Sequence, residues 1–210
     1  MRYLLYSLFL LPQILVAFPT AMRFSGDDVA LIAEASRAAY NPKKDFMKTF
    51  KKGGWRLTNF AGVAGLAQTH RAGFVASKGK RIIIAFHGTE GLFDAITDIK
   101  TTKTSAQSLG IAGQVHKGFL DAFTFSWEQL RAIILRHIGE AALQPKDIEY
   151  VITGHSMGAA LATLCAAKLL ADQELTGKNN KNNKVKTVPI ASPRVWDQKA
   201  AAAYEKLVGQ

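Results

Sequence analysis

The sequence predicts an α/β fold, in which a mostly parallel sheet is flanked by helices, and three observations support that prediction. An apolar run at 148–153 leads through a tight, glycine-bracketed turn at 154–158 into an alanine-rich helical stretch. A second apolar run at 81–86 is typical of a strand buried on both faces. Strand and helix patterns also alternate toward the C-terminus, as they do when helices connect parallel strands.

Length and composition favour a single globular domain. At 210 residues, with 48% apolar residues and three tryptophans, the chain can bury a core of its own. Its single cysteine, Cys165, excludes an internal disulfide and a thiolate-rich metal site. We expect a buried structural thiol, because Cys165 lies on an apolar helix. No sequence feature calls for a metal or another cofactor.

The net charge of +11, from 27 basic and 16 acidic residues, favours anionic partners. Acidic phospholipid surfaces, nucleic acids and acidic substrates all have that character. Because no nucleic-acid-binding motif accompanies the charge, we expect no nucleic-acid partner. The basic residues then either attract the protein to an anionic membrane surface or form an ordinary solvated surface.

The first 21 residues have the layout of a secretory signal peptide. Arg2 precedes an apolar run at 3–18, and small residues surround Ala21. The run is short and is interrupted by Pro12, which argues against a spanning helix. Cleavage near Ala21 would leave residues 22–210 as one domain of a secreted or periplasmic protein. An uncleaved N-terminal membrane anchor is the alternative.

The first helix of this domain is predicted to begin after Ser25, a suitable N-cap, and to end at Asn41-Pro42. Its apolar stripe comprises Val29, Ile32, Ala33, Ala39 and Tyr40. The next segment, 43–56, mixes basic and aromatic residues, and two interpretations stay open for it. It docks on an anionic lipid surface, or it is a solvated loop whose aromatic residues fold inward.

Strand patterns at 72–77 and 81–86, joined by Lys78-Gly79-Lys80, predict a hairpin. The second strand runs into a turn at 87–90, where backbone N–H groups can be exposed. A long helix follows at about 116–138, because apolar residues recur there in steps of three and four. They are Phe119, Phe123, Trp127, Leu130, Ile134 and Ile138. After residue 158 we expect a helix to about 173, a polar connector at 178–184, a strand at 187–191, a turn at 192–197 and a helix at 198–208.

The stretch around Ser156 carries the chemistry that the sequence predicts. Gly154-His155-Ser156-Met157-Gly158 fits the Gly-x-Ser-x-Gly elbow of serine hydrolases, in which a strand-to-helix turn lifts the serine above the sheet. Gly154 and Gly158 bracket the serine because so tight a turn excludes a Cβ atom at either position. The following helix points its first N–H groups at the site, where negative charge develops. An ordinary turn before an alanine-rich helix is the alternative.

With these residues in place, the chain resembles the class 3, or fungal-type, lipase family of α/β hydrolases from about residue 73 to about 204. Five segments carry the likeness, in the family's order, at 85–90, 94–98, 115–119, 153–162 and 192–195. The chain departs from the family pattern at Trp196, where a bulky residue replaces glycine. The resemblance implies an α/β-hydrolase fold and hydrolysis of ester bonds in glycerolipids, without indicating which glycerolipid.

Residue by residue, the resemblance implies Ser156 as the nucleophile. Thr89 and Met157 match the residues whose backbone N–H groups form the oxyanion hole. The segment 91–99 falls where the family carries a lid, whose apolar residues could face an acyl chain when the lid opens. These residues are Leu92, Phe93, Ile96 and Ile99.

On this fold the acid and the histidine of the triad follow the serine, but no histidine follows His155 here. Of the earlier histidines, which are His70, His87, His116 and His137, His87 lies closest to the oxyanion turn. We therefore expect a C-terminally truncated lipase homologue whose sheet lacks its last strands. The strand at 187–191 would expose an unpaired edge, which a second copy or another chain could cover.

Three functional interpretations follow. The chain is part of a glycerolipid hydrolase, or it is a catalytically inactive homologue that binds lipid or an anionic membrane surface. The third is an active hydrolase whose base is a rearranged histidine or comes from a partner chain.

Overall fold

The computed structural model describes residues 25–40, 50–64, 68–88, 102–178 and 184–209. Its strands are β1 (Arg56–Ala64), β2 (Gln68–Lys78), β3 (Arg81–Phe86), β4 (Lys103–Ser105), β5 (Gln114–His116), β6 (Glu149–His155) and β7 (Val185–Ile190). Its principal helices are α1 (Gly26–Tyr40), α2 (Lys117–Glu140), α3 (Met157–Ala171), α4 (Gln173–Thr176) and α5 (Gln198–Val208). The predicted signal peptide at 1–21 lies outside the described residues, as does most of the connector.

A five-stranded sheet in the order β1-β2-β3-β6-β7 forms the centre of the fold. The strands β3, β6 and β7 pair in parallel, whereas β2 runs antiparallel to both of its neighbours. Four of the five strands therefore point the same way, and the predicted α/β fold with a mostly parallel sheet is confirmed. The short strands β4 and β5 form a separate antiparallel pair.

The predicted hairpin is confirmed as β2 and β3, but strand β1 was not expected from the sequence. Arg56, Asn59 and Gly62 interrupt its apolar pattern. A register shift between Phe60 and Ala61 also breaks the two-residue period in its pairing with β2. Pairing with β2, rather than a pattern within the segment, makes this stretch a strand.

Alternate side chains of β3 enter two separate hydrophobic cores, one on each face of the sheet. Ile83 and Ala85 belong to the core that includes α1. Ile82, Ile84 and Phe86 belong to the core that includes α2 and α3. The continuous apolar run at 81–86 is therefore a strand buried on both faces, as predicted.

Helix α1 begins where the sequence predicted, but it buries a different face. The Asp28 N–H donates to Ser25 Oγ at 3.1 Å, and the Ser25 N–H donates to the Asp28 carboxylate at 3.3 Å, which completes a reciprocal N-terminal cap. Val29 and Ala33, expected in the apolar stripe, are exposed. The buried residues are Ile32, Ala35, Ser36, Ala38 and Ala39. This face is rotated by roughly a quarter turn from the predicted stripe, and it places Ala35 and Ala38 in the core that α1 shares with the sheet.

The described part of the basic segment 43–56 favours the solvated-loop interpretation. Phe50 is buried, with its ring 6.0 Å from Phe74 and 5.4 Å from Trp55, measured between ring centroids. The neighbouring Lys51 and Lys52 are exposed. These aromatic residues therefore pack inward and are not displayed for insertion into a lipid surface.

Helices α2 and α3 form the second core with the sheet. All six residues of the apolar stripe predicted for α2 are buried. Helix α3 is buried on most sides and includes Cys165, which is fully buried. The predicted burial of Cys165 is therefore confirmed, and this burial raises the pKa of its thiol. In the described part of the chain, no helix combines the length and hydropathy that crossing a membrane requires.

The C-terminal elements follow the prediction closely. Strand β7 begins two residues before the predicted 187, and α5 coincides with the helix expected at 198–208. Trp196, the departure from the family pattern, is accommodated without a tight turn. It pairs with Val115 as an isolated antiparallel bridge, and its ring stacks on Tyr204 at a centroid distance of 5.5 Å.

Candidate active site

Ser156 lies at the junction between the end of β6 and the start of α3. Its backbone has φ 58° and ψ −122°, a conformation that residues other than glycine rarely adopt. The Ser156 N–H donates to the Ile190 carbonyl of β7 at 2.9 Å, and its carbonyl accepts from Ala159 N–H at 2.9 Å. The serine is thus fixed on one side by the sheet and on the other by the first turn of the helix.

The two bracketing glycines are required by close backbone approach. A Cβ atom on Gly154 would lie 2.4 Å from both the carbonyl carbon and the oxygen of Gly158. A Cβ atom on Gly158 would lie 2.5 Å from the Phe86 oxygen and 3.0 Å from the His87 carbonyl. The distances of 2.4 and 2.5 Å are shorter than the nonbonded contacts that Cβ atoms make. The structure therefore explains why glycine occupies both positions that the sequence singled out.

Met157 is the first residue of α3. The start of a helix carries the positive end of its dipole. An oxygen that gains negative charge beside Ser156 would meet this end of α3. Thr89, the other expected oxyanion donor, lies outside the described residues. The lid residues that the family resemblance implied also lie outside them, namely Leu92, Phe93, Ile96 and Ile99.

We call the turn at 87–90, which contains the expected oxyanion donor Thr89, the oxyanion turn, and the turn at 154–158 the serine turn. The described residues of the oxyanion turn, His87 and Gly88, pack directly on the serine turn. The His87 N–H donates to the Ala72 carbonyl at 2.7 Å, which extends the β2–β3 pairing to this residue. A Cβ atom on Gly88 would lie 2.7 Å from the His155 carbonyl and 1.9 Å from the Tyr40 hydroxyl. The ends of α1, β3 and β6 therefore meet at one point beside Ser156.

The histidines have partners other than the serine. His155 Nδ1 lies 2.9 Å from the Tyr40 hydroxyl, and the His87 ring lies 4.7 Å from the Tyr40 ring. On α2, His137 Nε2 lies 2.8 Å from Thr58 Oγ1 of β1. The His116 ring packs on Phe119 at 4.4 Å. None of these contacts joins a histidine to Ser156, and nothing is described of the His70 side chain.

His137 makes the stability of the fold sensitive to acid. Burial, together with Arg56 and Arg136 nearby, lowers the pKa of His137 to about 4. Its pKa in the unfolded chain is higher, so acid protonates the unfolded state first. This contribution to stability is present at neutral pH and is lost as the pH falls below about 6.5.

We expect the free energy of unfolding to fall by up to about 2 kcal/mol more between pH 7 and pH 5 in the unsubstituted protein than in His137→Gln. Glutamine can keep a hydrogen bond to Thr58 but does not titrate in this range. Urea unfolding at several pH values measures the difference. Identical pH dependence in the two proteins would contradict the burial of a neutral imidazole.

Asp197 acts as a helix cap rather than as a partner of a histidine. Its side chain accepts a hydrogen bond from Ala200 N–H at 2.7 Å at the start of α5. Hydrogen bonds from backbone N–H groups lower the pKa of Asp197. Across the residues that the structure describes, no three histidine, cysteine, aspartate or glutamate side chains gather as a metal site would require.

Tyr40 is the site residue that the sequence pattern did not reveal. It was expected in the apolar stripe of the first helix, yet its hydroxyl reaches the residue that precedes Ser156. No motif joins positions 115 residues apart. The only local signal was a tyrosine at the last position of a helix.

Comparison with known proteins gives a family and a fold. The family model described as Lipase (class 3) matches residues 83–210. Phospholipase A1-II 3 of Oryza sativa subsp. indica is 30% identical over 152 residues, which cover 63% of this chain and 36% of that protein. Secreted mono- and diacylglycerol lipase 1 of Fusarium solani is 32% identical over 93 residues, covering 44% of this chain and 26% of that protein. This chain therefore spans little more than a third of the rice phospholipase.

Two solved structures show the same architecture. The lipase from Rhizopus microsporus var. chinensis superposes with a TM-score of 0.67 at 20% identity, covering 88% of this chain and 64% of that one. The native propeptide complex of Rhizomucor miehei lipase superposes with a TM-score of 0.62 at 25% identity, covering 89% of this chain and 59% of that one.

Proposed function

Because the chain belongs to the class 3 lipase family, we propose that it is a serine ester hydrolase that acts on glycerolipids, with Ser156 as its nucleophile. In the reaction the Ser156 hydroxyl attacks the ester carbonyl, and its proton passes to a base. The carbonyl oxygen becomes an oxyanion that accepts hydrogen bonds from the N–H groups of Met157 and Thr89. The ester C–O bond then breaks as the base returns its proton to the leaving alcohol oxygen, and water hydrolyses the acyl-serine.

The backbone of Ser156 is the observation that carries this proposal. A residue other than glycine held in so rare a conformation typically costs about 1–3 kcal/mol, and such strain concentrates at functional sites. The contacts of Gly154 and Gly158 with surrounding backbone hold the strained turn in place. The start of α3 supplies donors for the developing charge, and losing one such donor typically costs about 3–4 kcal/mol of barrier.

The alternative is a homologue that binds glycerolipid without hydrolysing it. One observation favours it: the contacts described for His87, His116, His137 and His155 lead to residues other than Ser156. A serine without a base is a poor nucleophile, and removing one triad member leaves only about 10³- to 10⁴-fold catalysis over water. Hydrolysis by these residues therefore requires a base from a rearranged histidine or from outside them.

Labelling with a fluorophosphonate separates the two functions. We expect the probe to modify residues 22–210 at Ser156, as read by peptide mapping, and Ser156→Ala to abolish the labelling. Ser126→Ala is the matched control, because Ser126 is also buried but bonds to the Ala122 carbonyl within α2. No labelling of a chain that unfolds cooperatively would exclude autonomous hydrolysis. Co-sedimentation with phosphatidylglycerol vesicles would then test the lipid-binding alternative.

We also propose that residues 22–210 form the mature domain of a secreted protein, after removal of 1–21. The Fusarium solani relative is named as secreted, which supports this localisation. The net charge of +11 and the exposed Lys51 and Lys52 support attraction to an anionic membrane surface. These lysines precede the start of β1, whereas Ser156 follows the end of β6, a strand that runs in the same direction, so they lie at opposite ends of the strands.

The outer edge of β7 supports pairing with a strand of another chain or a second copy. The N–H groups of Tyr150 and Ser156 donate to the carbonyls of Lys184 and Ile190. The backbone N–H and C=O groups of the even-numbered residues of β7 therefore point toward β6. The backbone groups of its odd-numbered residues point away from β6, and within the described residues β7 pairs with β6 alone. Pro189 is one of these outward residues, where it removes no hydrogen bond to β6.

A further inference from the structure

Tyr40 connects the first helix to the serine turn through two hydrogen bonds. Its hydroxyl lies 2.9 Å from His155 Nδ1 and 3.3 Å from the His155 carbonyl oxygen. His155 is the residue immediately before Ser156 and the last residue of β6. Both the side chain and the backbone of this residue are therefore bound by a group from the other end of the chain.

The two distances together assign the hydrogen-bond directions. A tyrosine hydroxyl has one proton, and the carbonyl can only accept it. If the Tyr40 hydroxyl donates to the His155 carbonyl, then His155 Nδ1 must carry a proton and donate to the Tyr40 oxygen. Only this tautomer satisfies both contacts at once, and its Nε2 then has no proton when the ring is neutral.

Tyr40 also fills the space between the serine turn and the oxyanion turn. The Gly88 backbone is so close to the hydroxyl that even a Cβ atom there would collide with it. The Tyr40 ring packs beside the His87 ring at 4.7 Å and beside the His155 ring at 5.8 Å. A displacement of Tyr40 would therefore change the packing of both turns.

Helix α1 holds Tyr40 in a fixed position relative to the sheet. Ile32 and Ala39 are buried against the sheet, and the Asp28 carboxylate accepts a hydrogen bond from Arg81 of β3 at 2.5 Å. Arg81 also contacts Glu149 of β6 at 3.2 Å. The helix is thus tied at its first turn to the starts of the two strands whose ends form the site.

We propose that Tyr40 is a positioning residue, which sets the tautomer of His155 and, through it, the position of Ser156 relative to the oxyanion turn. The proposal rests on the function proposed for Ser156. Helix α1 precedes the matched region 83–210, so the family match itself says nothing about this residue. It would act through His155 and would not touch the substrate.

The test compares Tyr40→Phe with Tyr150→Phe. Each substitution removes one hydroxyl and keeps the ring, and the Tyr150 hydroxyl donates to the Leu175 carbonyl at 2.7 Å in a buried contact. We expect nitrogen-15 NMR to show His155 protonated at Nδ1 in the unsubstituted protein and in Tyr150→Phe, but at Nε2 in Tyr40→Phe. His155→Gln assigns the signal.

The same substitutions should also change the reactivity of Ser156. We expect the rate of fluorophosphonate labelling to fall roughly tenfold in Tyr40→Phe and to stay unchanged in Tyr150→Phe, since small displacements of reacting groups cost large factors in rate. An unchanged His155 tautomer, or a labelling rate equal to that of Tyr150→Phe, would overturn the proposal. A fall in melting temperature alone would mean a structural role only.

The two proposals fail in different ways. If the unsubstituted protein is not labelled, the hydrolase function fails, and Tyr40 is judged by the His155 tautomer and by hydrogen exchange of the Ser156 N–H. We expect that exchange to quicken in Tyr40→Phe and not in Tyr150→Phe. Unchanged exchange and an unchanged tautomer would then overturn the positioning role.

Discussion

Gly158→Ala is expected to destabilise the protein by about 3 kcal/mol and to lower the reactivity of Ser156 roughly a hundredfold. The new Cβ atom would lie 2.5 Å from the Phe86 oxygen and 3.0 Å from the His87 carbonyl. Both neighbours are backbone, so neither can rotate away. Helix α3 must therefore move off the end of β3, which separates Ser156 from the oxyanion turn.

Gly139→Ala provides the matched control for this substitution. Gly139 also lies in a helix, α2, but a Cβ atom there would meet nothing within 4 Å. Its replacement should leave labelling unchanged and raise stability by up to about 1 kcal/mol, because alanine favours helix more than glycine does. Urea unfolding and fluorophosphonate labelling measure both effects. Equal behaviour of the two variants would contradict the close packing of α3 on β3.

Phe123→Ala is expected to cost about 3–5 kcal/mol of unfolding free energy. Phe123 is 1% exposed and packs between Phe86 and Trp127, at centroid distances of 6.5 Å and 5.6 Å. Removing the ring leaves a cavity in the core between α2 and the sheet. The end of β3 borders that cavity, so we also expect slower labelling of Ser156.

The control lies two residues away on the same helix. Phe125 is 52% exposed, and Phe125→Ala should change stability by no more than about 0.5 kcal/mol. The midpoints of urea denaturation give the comparison directly. A loss in Phe125→Ala as large as that in Phe123→Ala would mean that α2 does not bury the face that its apolar stripe predicts.

Much of the fold could be predicted because its signals are local. The stripe of α2 repeats within one helix, and the run at 81–86 identifies a buried strand without knowledge of its partners. Strand β1 was not predicted, because Asn59 and Gly62 interrupt its apolar pattern and a register shift breaks its two-residue period. The prediction of the buried face of α1 was partly wrong, since Ala35 and Ala38, whose small side chains give only a weak apolar pattern, are buried there.

The serine turn could be predicted from the sequence, because the spacing of Gly154, Ser156 and Gly158 between an apolar strand and an alanine-rich helix encodes a conformation within five residues. The groups that surround that turn could be identified only from the packed fold. The contact between Tyr40 and His155 joins positions 115 residues apart, and the end of β3 reaches Gly158 through parallel pairing with β6. The physical reason is that turn geometry depends on neighbouring backbone angles, whereas contacts between distant segments exist only after the sheet and its helices pack.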